Sequence, residues 1–214
     1  MDELDVQESY WDSVAGEREF THPIRVEVFR ELVPVGSKVL DYGCGYGRMC
    51  AALRKAGYDD VVGVDISSEM IKRGLTLHPG LNLRHIDGGR LPFADNTFSA
   101  CTLLAVLTCM PTDAGQKELM RELHRVLQSD GILYLSDYPL QHDARNRERY
   151  NRFKDEFGKF GIFWLSDGGV VRHHEMAWIH TLLSEFEIMK EEIIAAFTMS
   201  GNAAEVFQIV ARKR

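Results

Sequence analysis

An α/β fold is what this sequence predicts: a seven-stranded, mostly parallel sheet that ends antiparallel. Three observations carry that expectation. Short β-branched apolar runs alternate with amphipathic segments over residues 38–138, the rhythm of βαβ units. The stretch "VLDYGCGYGRM" (39–49) places an acid and three glycines between a strand and a helix. Near the C-terminus two strand-like runs are joined by "SGNAA", too short for a parallel crossover, so they must pair antiparallel.

The elements follow in order. "VQESYWDSVA" and "IRVEVFRELV" read as two short helices. "KVLDY" (38–42) is the first strand, and "RMCAALRKAG" (48–57) the helix after it, stopped by Gly57. "DVVGVD" (60–65) is the second strand, followed by "SSEMIKRGLTL" (67–77), a helix with serine at its N-cap. "NLRHID" (82–87) and "FSACTLLAV" (98–106) are strands three and four. "DAGQKELMRELHRVL" (113–127) sets Leu119, Leu123, Val126 and Leu127 on one helical face, and "GILYLSDY" (131–138) is the fifth strand. The pattern then turns polar and aromatic, as expected of an insertion over the sheet, before "EFEIMKEEIIAAFTM" (185–199) and "EVFQIVARKR" (205–214) return as strands. One domain over 1–214 is expected: a helical cover (1–37), a core (38–138), a cap (139–184) and a C-terminal hairpin (185–214).

Composition narrows the function classes. The chain has 214 residues, 45% hydrophobic and 27% charged, enough for one well-buried core. Its formal net charge of -7 disfavours nucleic acid, whose phosphates call for a basic face. The one basic stretch, "RNRERYNRFK" (145–154), mixes in Glu148 and precedes Asp155 and Glu156, so it reads as a solvated helix face. No apolar run is long enough to span a bilayer, and the acidic start lacks the form of a signal peptide. Cys44, Cys50, Cys101 and Cys109 form no CxxC pair, so reduced thiols in a cytoplasm, and no metal, are expected.

The glycines carry the chemistry. Between strand and helix they let the backbone turn sharply and approach a ligand closely, beside the unpaired N–H groups of a helix start. A dinucleotide fingerprint reads GxGxxG. Here Gly43, Gly45 and Gly47 give GxGxG, with Arg48 next. Asp41, two residues before the first glycine, would repel a pyrophosphate and suits a cationic ligand. S-adenosylmethionine carries an ammonium and a sulfonium and no phosphate.

That stretch, an acid–x–Gly–x–Gly–x–Gly loop, resembles motif I of class I S-adenosylmethionine-dependent methyltransferases, in the manner of the small-molecule enzymes of type 11/25. The resemblance covers about residues 38–138. It implies a Rossmann-like sheet with helices on both faces and S-adenosyl-L-methionine as cofactor, with S-adenosyl-L-homocysteine as product. It also implies a cofactor site made of Asp41, Gly43, Cys44, Gly45 and Gly47; Asp65 on the ribose; Ile66 and Met70 on adenine; Asp87 and Gly88 at the adenine amino group; and Leu104 and Ala105 at the methionine end. In similar enzymes an N-terminal aromatic segment folds over the cofactor, which points to Tyr10 and Trp11. Ser99 departs from the usual acid at its position, at the start of a strand away from the chemistry.

The acceptor is expected over strands four and five, beneath the cap. Thr108, Cys109, Asp137 and Tyr138 follow those strand ends, with His22 on one side and Tyr150, Phe163, Trp164, His173 and His174 on the other. A sulfonium methyl is already activated, so no base is obligatory; His22, His173 and Tyr138 are the candidates. The expected partner is a small-molecule acceptor, with no nucleic acid and no membrane. The rivals are a cofactor-binding sensor without turnover and a nicotinamide oxidoreductase.

Overall fold

The computed structural model describes residues 3–214. Seven strands form one sheet in the order β3-β2-β1-β4-β5-β9-β8: β1 (Val39–Tyr42), β2 (Val61–Asp65), β3 (Asn82–His85), β4 (Phe98–Leu104), β5 (Leu127–Asp137), β8 (Phe186–Phe197) and β9 (Ala203–Lys213). The pairs among β1 to β5 are parallel, while β9 runs antiparallel to both β5 and β8. Strand order reverses between β1 and β4. The crevice beyond their carboxyl ends is where such sheets bind ligands.

Alternation along the central strands sorts the two cores. Leu40, Val62, Val64, Cys101 and Leu133 bury one face against α6 (Asp113–Val126) and α8 (Met176–Leu182). Val39, Val61, Ala100 and Ile132 bury the other against α3 (Val26–Arg30) and α4 (Arg48–Lys55). Capping chemistry sets the helix starts: Ser67 Oγ accepts from Met70 N (3.1 Å) to open α5 (Ser68–Leu77), and Thr112 Oγ1 accepts from Gly115 N (3.0 Å) to open α6.

Several boundaries differ from expectation for local reasons. β3 stops at His85, so Asp87 lies beyond the strand, just before a bend that begins at Gly88. β5 begins at Leu127, which pairs with Phe98; the polar turn 128–131 then bulges out before the ladder resumes at Ile132 opposite Ala100. The N-terminal segment is three helices: α1 (Glu3–Val6), α2 (Glu8–Val14) and α3. Beyond β5 come α7 (Ala144–Phe157), a hairpin of β6 (Ile162–Trp164) and β7 (Val170–Arg172), and α8. Among the described residues no helix is long and apolar enough to cross a membrane.

Candidate functional site

The ends of β1, β2, β4 and β5 open into a cavity of about 290 Å³, roofed by the N-terminal segment and by the elements after β5. Its floor is the glycine loop. Gly43 (φ 69°), Gly45 (φ 52°) and Gly47 (φ 83°) all adopt the left-handed backbone that glycine tolerates. A Cβ on Gly43 would lie 2.4 Å from Val106 Cγ2, and one on Gly45 2.4 Å from Phe20 Cε2. Gly47 serves packing instead: it faces Leu83 and Leu81 behind the loop and lies outside the cavity wall.

Two acids flank the loop differently. Asp41 is buried; Thr102 Oγ1 donates to its Oδ1 (2.7 Å) and Cys50 Sγ to its Oδ2 (3.2 Å). Burial pushes its carboxyl up to about 6. Asp65 accepts from Gly45 N at Oδ2 (2.7 Å) and from Ser67 N at Oδ1 (2.8 Å), tying the loop to the start of α5. Each carboxylate oxygen offers two lone pairs, so accepting capacity remains on both. Burial raises the Asp65 carboxyl too. Ile66, Met70 and Ile86 form an apolar wall beside it. Cys44, Leu104 and Ala105 complete this half, with Ala105 at φ 54° donating its N–H to Ser136 O (2.8 Å).

Besides Gly47, three expected residues stand elsewhere. The Asp87 side chain is 99% exposed, 4.0 Å from His85, and neither it nor Gly88 lines the cavity, because β3 ends early. Trp11 lines the cavity, whereas Tyr10 is drawn outward: its hydroxyl lies 3.2 Å from Asp167 Oδ1 and accepts from Arg18 Nη2 (3.1 Å). Arg18 and Asp167 also form an ion pair. Gln7 bonds Val170 through both its side-chain oxygen and nitrogen, so the N-terminal helices and the β6–β7 hairpin close one roof. The ring over the glycine loop is Phe20, stacked on Tyr46 at 4.9 Å and 11° and edge-on to Trp11. It sits in a non-periodic stretch, "REFTHP", where no pattern marks it.

The other half gathers His22, Tyr138 and His173. Tyr138 stacks on His173 (5.4 Å, 18°) and meets His22 edge-on (5.4 Å). Tyr150 accepts from Gln141 N (3.1 Å) and hydrogen-bonds His173 Nδ1 (2.5 Å). His22 Nε2 pairs with Ser136 Oγ (2.8 Å), and its buried Nδ1 has no hydrogen-bond partner among the described residues. Burial and then the Arg48 charge hold His22 neutral, down at about 3, and burial keeps the Tyr138 hydroxyl protonated.

Thr108, Cys109 and Phe163 also line the cavity. Asp137 is buried behind it, accepting from Thr108 N (3.0 Å) and Tyr138 N (2.7 Å). His174 is bound to Gln116 and Tyr138 O, and Trp164 faces outward with Glu156. The segment 145–154, expected to be a solvated face, instead contributes Arg145 and Arg149 to the wall. Among the described residues no group of three potential metal ligands occurs, and all four cysteines are free thiols.

The neutrality of His22 has a sign that can be checked. Its folded pKa lies below the unfolded value near 6.5, so the unfolded chain binds more protons between about pH 6.5 and 3. Its contribution is present above pH 6.5 and is lost as pH falls through that window. Denaturant titration at pH 7 and pH 4.5 is expected to show His22→Asn losing about 2 kcal/mol less than wild type. Equal losses in both proteins would mean that His22 is charged in the fold.

Comparison with known proteins agrees with this geometry. A family model described as a methyltransferase domain matches residues 40–135. The chain is 26% identical over 204 residues to the eEF1A lysine and N-terminal methyltransferase of Mus musculus, covering 88% of this chain but 27% of that protein. It thus spans about a quarter of that relative's length. It is 27% identical over 175 residues to the demethylmenaquinone methyltransferase of Lysinibacillus sphaericus, covering 79% of this chain and 71% of that one. A solved SAM-dependent methyltransferase of Methanosarcina mazei superposes with a TM-score of 0.81 at 27% identity, covering 87% of this chain and 96% of its own.

Proposed function

The chain belongs to the class I S-adenosylmethionine-dependent methyltransferases, and from that premise we propose that it transfers a methyl group to a small-molecule acceptor held in the cavity over β4 and β5. The observation that carries the reading is the single roofed cavity whose floor is the glycine loop and whose far wall is His22, Tyr138 and His173. At about 290 Å³ it lies at the lower edge of small-molecule sites, which run from about 300 to 1000 Å³. A recess partly roofed by the N-terminal segment and the elements after β5 favours a small acceptor over a folded protein surface.

The residues fit the cofactor. Gly43 and Gly45 line the cavity with backbone alone, and their missing Cβ atoms let Val106 and Phe20 pack directly against the loop. Asp65 offers two acceptor oxygens, which suits a ribose diol, and Ile66, Met70 and Ile86 suit an adenine ring. Trp11 and Phe20 cover this end. When bound, the cofactor supplies a methyl group already activated on sulfonium. The protein's own part is then to align the acceptor and exclude water, which alone is worth several kcal/mol. The Tyr138 hydroxyl offers a donor to an acceptor oxygen or nitrogen, with the His173 ring beside it. His22 Nδ1 is buried without a hydrogen-bond partner among the described residues, and in the tautomer where Nε2 donates to Ser136 Oγ it is the ring nitrogen free to accept a proton.

Incubating the purified chain with S-adenosylmethionine and pooled small phenols, amines, thiols and carboxylic acids tests this reading. The expected result is S-adenosylhomocysteine formed above the acceptor-free background by at least one pool. Formation only with protein or lysine-peptide acceptors would contradict the small-molecule assignment.

A further inference from the structure

Resting on the methyltransferase reading, we infer that the acceptor carries an anionic oxygen group, a carboxylate or a phosphate, which Arg149 and Arg145 bind on the cap side of the cavity. The two residues lie four apart on α7, so they share a helix face, and both line the cavity. Arg149 is half-buried. Its guanidinium lies over the Phe163 ring at 3.7 Å, its Nη2 donates to Asn146 Oδ1, and its buried Nε has no hydrogen-bond partner among the described residues. No carboxylate among the described residues forms an ion pair with it. Among the described residues Arg145 pairs with Asp143 alone, at 3.8 Å, and its own side chain is 42% exposed.

The other arginines of the wall are accounted for. Arg18 is paired with Asp167, and Arg48 donates to the His22 carbonyl at 3.3–3.4 Å. In a chain with 32 acids and 25 lysines and arginines, a partly desolvated arginine that lines a cavity and has no ion-pair partner among the described residues is a conspicuous choice. Burial costs an unpaired ion more than stacking on a phenyl ring returns, and in keeping with this Arg149 is lowered to about 10 by burial. A guanidinium seated over a ring keeps N–H donors free, and such a fork reads a carboxylate or phosphate with two parallel bonds. The location sets it on the acceptor side. The charges of Arg149 and Arg145 both act on His173, which stacks on Tyr138, and Phe163 meets His173 edge-on at 5.1 Å.

The test uses the full chain saturated with S-adenosylhomocysteine, at fixed ionic strength. Benzoate, phenyl phosphate and neutral benzamide are titrated calorimetrically into wild type, Arg149→Gln, Arg149→Lys and Arg145→Gln. Wild type is expected to bind benzoate or phenyl phosphate at least tenfold more tightly than benzamide, and the stronger of the two identifies the oxyanion. Arg149→Gln is expected to lose that preference, while Arg149→Lys keeps part of it. Arg145→Gln, which leaves the Phe163 stack intact, is expected to weaken anion binding several-fold. Equal binding of anionic and neutral probes by wild type, or an unchanged preference in Arg149→Gln, would overturn the inference. So would a tenfold loss of S-adenosylhomocysteine affinity in Arg149→Gln, which would assign the arginine to the cofactor. Failure of wild type to bind S-adenosylhomocysteine at all would instead count against the methyltransferase reading itself.

Discussion

Gly45→Val is expected to abolish cofactor binding while leaving a folded chain. The residue sits at φ 52°, a conformation that a β-branched side chain adopts only under strain, and its new Cβ would lie 2.4 Å from the Phe20 ring. Phe20 is a side chain at the edge of the roof and is able to swing away, so the fold pays chiefly the backbone strain, of order 1–3 kcal/mol. That is survivable against a typical total of 5–15 kcal/mol. The ligand has no such escape, since valine's methyl groups would project into the space above the loop. Circular dichroism and calorimetric titration of S-adenosylhomocysteine check both halves. A well-folded variant that binds like wild type would remove the glycine loop from the site.

The second large effect is at Asp65. Asp65→Ala is expected to weaken S-adenosylhomocysteine by about 1.5–3 kcal/mol, roughly ten- to 150-fold, the size of a lost hydrogen-bonding charge. The same carboxylate holds Gly45 N and Ser67 N, so the alanine variant also frees the loop from the start of α5. Asp65→Asn separates these effects: it retains one acceptor oxygen and is expected to fall between alanine and wild type. Wild-type affinity in Asp65→Ala would deny the ribose role.

Much of this was readable in the sequence because local chemistry and tertiary role coincide. The spacing of Gly43, Gly45 and Gly47 between a strand and a helix marks the sharp turn that their left-handed backbones make. The short "SGNAA" link forces the antiparallel ending that β9 and β8 show. Ser67 before an apolar-periodic run caps a helix wherever it occurs. What escaped depends on the path of the chain through space. "ESYW" marks two aromatics, yet Tyr10 turns to Asp167 on the cap while Trp11 meets the cavity. Phe20, ten residues on, lands over the loop without any periodic signal. Asp87 falls short because β3 stops two residues before it. Arg145 and Arg149 look like half of a solvated face because charge patterning cannot distinguish bulk water from the wall of a cavity. Only the packing of α7 beside β6 does so.

Thermal unfolding of the purified chain with S-adenosylhomocysteine and with NAD, in parallel, tests the central claim most directly. At a hundred times its dissociation constant a ligand stabilises the fold by about 2.7 kcal/mol, a rise in Tm of about 5–10 °C for a chain of this size. The account predicts that rise with S-adenosylhomocysteine and none with NAD. A rise with NAD alone, or no rise with either, would contradict it.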